Sequence, residues 1–144
     1  MIQPDTIKLM RECDAGIKMG VSSIKGVLPY VRSDGLAERL RRCKEEHEAL
    51  QTELVEMLHR FEDKGKEPNP VAKGMSWMKT GIKLAMHESD HTIADLMTEG
   101  CDMGVRSLSR YLNQYEAANE DAKDIAKRLI CLEADLSVDL RPYL

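Results

Sequence analysis

Apolar residues recur every three or four positions along most of this chain, and the places where that rhythm breaks divide it into helices. Asp5, a good N-cap residue, precedes the stripe Met10, Cys13, Ile17, Val21, Ile24 and Leu28, which predicts a helix over about 5–28 that Pro29 stops. A second stripe follows Ser33, Asp34 and Gly35. It runs Leu36, Leu40, Cys43, His47, Leu50, Leu54, Met57 and Phe61, predicting a helix over about 35–62 before Gly65 and Pro68. Near the end, Asn119 opens a helix over about 120–141 that places Glu120 and Asp121 in its first turn. That helix carries Ile125, Leu129, Leu132, Leu136 and Leu140 inward, and it closes at Pro142.

The stretch from Val71 to Tyr115 keeps an apolar pattern almost throughout. As one helix it would be roughly 68 Å long, against roughly 36 and 42 Å for the first two, and nothing else in the chain could cover it. A break at Ser89 or Asp90, both good caps, gives a third helix of matching length over about 90–116. Residues 71–88 then form a short extra helix in a long crossover, with Met75, Met78, Ile82 and Met86 on one face.

The hexapeptide CDAGIK at 13–18 returns as CDMGVR at 101–106. A shift of 88 residues also aligns Leu9 with Met97, Ile24 with Leu112 and Cys43 with Cys131. In the second and fourth helices a shift of 89 fits better, pairing Leu40 with Leu129 and His47 with Leu136. Two similar helical hairpins joined by a connection long enough to run the length of a bundle give an antiparallel four-helix bundle with one long crossover. The expected class is all-α, with residues 1–144 as a single domain.

Composition agrees with that class: 42% of residues are hydrophobic and 32% charged, with nine Met, one Phe and one Trp. The net charge of −4 offers no broad positive field, so nucleic acid is not an expected partner. No apolar run has the length of a membrane span and the N-terminus lacks a signal-like stretch, so the expected location is cytoplasmic. Cys13, Cys43, Cys101 and Cys131 match neither a zinc pattern nor a disulfide framework, and are expected as core residues.

Through CDAGIKMGVSSI, CKEEHEAL and ADLMTEGCDMGVRSLSRYLNQY, the chain resembles the ferritin-like superfamily, and within it an uncharacterised bacterial group of four-helix domains. The resemblance implies that the first and third helices each turn a carboxylate inward, and that the second and fourth each carry Glu-x-x-His. Here the corresponding pairs are Lys44-x-x-His47 and Glu133-x-x-Leu136, so each hairpin keeps half of the motif. Asp14 and Asp102 stand for the carboxylates, with Glu12 and Glu99 as alternatives on neighbouring faces.

Asp14, His47, Asp102 and Glu133 all fall near mid-bundle, where an unpaired charge would be costly. In one reading they bind a divalent metal, Fe, Mn or Zn, as an iron- or manganese-dependent oxidase or an iron-handling protein. In the other they pair among themselves, Lys44 balances the charge, and the protein is a non-catalytic bundle without a cofactor. The second is the preferred expectation, because a two-iron centre normally uses six ligands and two are replaced here.

Other features have plainer expected roles. His87 and His91 in HESDH sit at a helix junction, roughly 16 Å from Asp102 along the helix in the case of His91, and read as capping chemistry. The face carrying Met75, Trp77 and Met78 is the expected contact of a homo-oligomer. Gly16 and Gly104 are equivalent in the repeat and sit inside helices at a cost of about 1 kcal/mol each, which predicts that the first and third helices touch there. No phosphate-binding loop, nucleophile elbow or Ser/His/Asp set is evident.

Overall fold

The computed structural model describes residues 4–68 and 89–144. Four long helices account for most of them, with no strand among the described residues: α1 (Pro4–Val27), α2 (Asp34–Arg60), α3 (Ser89–Gln114) and α4 (Glu120–Leu140). Each limit lies within two residues of the position expected from caps and breakers. The expected extra helix over 71–88 lies outside the described residues. Ser33 Oγ accepts from the Leu36 amide at 3.3 Å and Asn119 Oδ1 from the Ala122 amide at 2.9 Å, so α2 and α4 open on the side-chain caps their sequences announce. Pro29 and Pro142 end α1 and α4 in single 3₁₀ turns, Leu28–Tyr30 and Arg141–Tyr143.

Hydrogen bonds between the ends set the direction of each helix. The Asp90 carboxylate accepts from the amides of Arg32, at 2.7 Å, and Ser33, at 2.9 Å, which holds the start of α3 against the α1–α2 turn. At the other end, Asp5 accepts from the Ala117 amide at 3.2 Å and Thr6 Oγ1 from the Asn119 amide at 2.9 Å. The α3–α4 turn therefore lies beside the start of α1. It follows that α1 and α4 run one way and α2 and α3 the other. α1 packs on α2 and α3, α4 packs on α2 and α3, and α1 and α4 also meet across the middle.

That central contact corrects the glycine expectation. A Cβ on Gly16 would meet Leu129 of α4 at 3.6 Å, and one on Gly104 would meet the Glu133 side chain of α4 at 3.5 Å. Both glycines face α4 rather than each other, and their missing side chains admit α4 to the centre. The cysteine expectation also changes. Cys13, Cys43 and Cys101 are buried, but Cys131 is exposed. It lies two residues past the inward Leu129, about 200° round the helix, in line with the one-residue slip in the repeat.

The buried apolar residues form two clusters. One gathers Leu9, Cys13, Ile17, Leu50, Leu54, Leu108, Ile125 and Leu129, and the other Ile24, Leu36, Leu40, Cys43, Ile93, Met97, Cys101, Leu136 and Leu140. On each helix the change from one cluster to the other falls at the same height: around Gly20, His47, Gly104 and Glu133. A polar layer divides the core there.

After α2 the chain turns through Glu62 (φ 56°) and Gly65 (φ 78°), and residues 63–68 run back beside α1. Asp63 receives Arg11, Lys66 Nζ reaches Glu12 at 2.5 Å, and Glu67 receives Lys18 at 2.7 Å. Gly65 is required twice over, by its left-handed φ and because a Cβ would strike the Asp14 carboxylate. Gly65→Ala is expected to lower stability by about 1–3 kcal/mol in urea denaturation. An unchanged midpoint would mean that this return segment is not held as described.

Candidate functional site

His47 is the most buried ionisable group of the polar layer, only 1% exposed, and it reaches that position on the inward stripe of α2 between Cys43 and Leu50. Its Nδ1 lies 2.8 Å from the carbonyl oxygen of Cys43, one turn back, and 3.5 Å from Cys43 Sγ. Its Nε2 lies 3.0 Å from Oε1 of Glu133 on α4. Both ring nitrogens thus face oxygen acceptors. An imidazole can donate at both only when it is protonated. Burial on its own pulls the His47 pKa down, but the hydrogen bonds to Cys43 and Glu133 and the Glu133 charge outweigh it, and the pKa is pushed up to about 10. His47 and Glu133 form a buried ion pair.

Cys101 enters the layer from α3. Burial, and then the neighbouring Glu133 charge, drive its pKa far upward, so it remains a neutral thiol hydrogen-bonded to the Glu133 carboxylate. Burial likewise pushes the Cys13 thiol up to about 12. From α1 comes Gly20, where a Cβ would approach His47 Cδ2 and Nε2 to 2.9 Å. The four helices thus give the layer an imidazolium, a carboxylate, a thiol and an empty place.

Of the four residues expected to share a site, the structure brings together two. Asp14 is buried, 1% exposed, but it turns away from His47 toward the return segment. Its Oδ2 accepts from the Lys66 amide at 3.0 Å and from Lys18 Nζ at 2.8 Å, while Oδ1 finds no hydrogen-bond partner among the described residues. It also lies six residues before Gly20, about 9 Å along the helix. Asp102 is exposed, because the adjacent Cys101 takes the inward position on α3. The balancing cation for Asp14 is Lys18, one turn on; Lys44 pairs instead with Glu48 at 3.2 Å.

The alternative carboxylates do not complete a site either. Glu12 is taken by Lys66, and Glu99 is exposed. His91 is exposed at the start of α3, and His87 lies outside the described residues. Sequence reasoning missed Cys101, Gly20 and Lys18 as working parts. The spacing of Lys18 four residues after Asp14 carried the signal for one of them.

Among the described residues, no group of three or more His, Cys, Asp or Glu side chains could hold a metal ion. The expected four-ligand set does not fit this arrangement. Compared with family models, curated proteins and solved structures, the chain matches none. No helix among the described residues is long and apolar enough to cross a membrane.

Proposed function

We propose that this protein is a non-catalytic, oligomeric helical bundle of ferritin-like topology, in which an ancestral metal centre has been reduced to a buried ion pair. The topology reading is supported by the helix directions: α2 and α3 run in parallel, so the end of α2 and the start of α3 lie at opposite ends of the bundle, as in ferritin-like folds. The observation that carries the functional reading is His47, whose two ring nitrogens are both spent on acceptors. The Met75, Trp77 and Met78 face, the first candidate for self-association, lies outside the described residues.

One feature favours a second reading. Histidines that bind metals commonly anchor one nitrogen on a backbone carbonyl, as His47 does through Nδ1, and present the other to the ion. Metal analysis of untagged protein separates the two. The lead reading expects metal well below stoichiometric amounts and a melting temperature indifferent to chelator. Stoichiometric Fe, Mn or Zn that disappears in His47→Ala would overturn it in favour of an iron- or manganese-handling protein.

A further inference from the structure

The outer face of α2 carries charges that the other described residues leave largely unanswered. Glu38, Arg41, Arg42, Glu45 and Glu46 are all exposed. Among the described residues Glu38, Arg41 and Glu45 make no ion pair, Arg42 comes only within 3.7 Å of Asp139, and Glu46 only within 3.9 Å of Arg39. Several of them line an open polar cavity of about 810 Å³, together with Tyr143 from the C-terminal turn.

The order of these charges is antisymmetric about the junction of Cys43 and Lys44. Moving outward from it, Arg42 is answered by Glu45, Arg41 by Glu46 and Arg39 by Glu48, while Leu40 and His47 between them are buried. A parallel copy of such a helix in register would set like charges against like. An antiparallel copy sets the arginines of one helix against the glutamates of the other.

Helix geometry sharpens the match. Residues four apart share a flank, so Arg41 and Glu45 lie on one side of the outer stripe and Arg42 and Glu46 on the other. A two-fold axis perpendicular to the helices brings each flank against its own mate. Arg41 then faces Glu45 of the second copy and Arg42 faces Glu46 of the second copy, each contact occurring twice.

We propose that this face of α2 is a self-association surface, on which a second copy of the chain docks its own α2 antiparallel about a two-fold axis near Cys43 and Lys44. The proposal names the interface for the oligomer proposed above and rests on that reading. Exposed ion pairs add little affinity individually, so their part here is to fix the orientation and reject a parallel mate.

Two double variants test it. Arg41→Glu with Arg42→Glu leaves the patch acidic, and Glu45→Arg with Glu46→Arg leaves it basic; circular dichroism checks that each still folds. In sedimentation velocity the wild type is expected to dimerise, less tightly as salt rises. Each variant alone is expected to be monomeric, its dissociation constant raised at least about a hundredfold by like-charge contact. Mixed in equal amounts, the two should form a heterodimer, because every reversed contact is again complementary. Variants that self-associate like the wild type, or fail to pair when mixed, would overturn this interface while leaving the oligomer reading intact. A wild type that stays monomeric at high concentration would remove both.

Discussion

Glu133→Ala is expected to lower the stability of this protein by about 3–5 kcal/mol, more than removal of any exposed ion pair, because it strands a charged imidazole in the core. His47 is 1% exposed, and Glu133 Oε1 is its carboxylate acceptor at 3.0 Å. The same substitution takes away the acceptor of the Cys101 thiol. Replacing both partners by apolar residues of similar size, His47→Leu with Glu133→Met, is expected to recover most of the loss, since neither charge then has to be buried. Chemical denaturation of the two single variants and the pair gives the coupling energy directly. Additive single effects would show that the two side chains do not interact.

The pair also gives stability a defined dependence on pH. The folded-state pKa of His47, about 10, stands above the ordinary value of 6.5. The stabilisation linked to its proton is therefore fully present below about pH 6.5 and is lost as pH rises through about 10. Between those limits the wild type should become steadily less stable relative to the His47→Leu, Glu133→Met variant, which lacks the group. Parallel stability curves across this window would contradict the assignment of the proton.

Gly20→Ala should destabilise by about 2 kcal/mol, although alanine is the better helix former by about 1 kcal/mol. The reason lies in what the new Cβ meets: the His47 ring at 2.9 Å, and that ring is fixed at both nitrogens and cannot turn aside. Gly100 supplies the control. A Cβ there meets nothing within 4 Å, so Gly100→Ala is expected to stabilise by up to about 1 kcal/mol. Thermal melts of the two variants should shift in opposite directions. A stabilised Gly20→Ala protein would mean that α1 does not close over His47 as described.

The helices were legible because their limits are written locally. Ser33 and Asn119 cap, Pro29 and Pro142 interrupt, and the apolar stripe continues between them. The burial of His47 was legible for the same reason, since it occupies a stripe position on α2. The destination of Asp14 was not, because its burial depends on Lys66 and Gly65 arriving from 52 and 51 residues away. The repeat misled at Asp102. In both hexapeptides the inward residue is the cysteine, and the following aspartate sits about 100° round the helix, where it is buried only if something covers it. Gly16 and Gly104 announced close approaches, but which helix approaches is decided by how all four pack, and sequence spacing does not carry that information.

Direct observation of the His47 ring nitrogens by NMR tests the central claim, that the mid-bundle layer is a closed ion pair in which His47 is a cation. The account predicts that both nitrogens remain protonated at about pH 8, where an ordinary imidazole is neutral, and that neither responds to added iron, manganese or zinc. A ring that titrates near its ordinary pKa, with Nε2 shifting when metal is added, would contradict it.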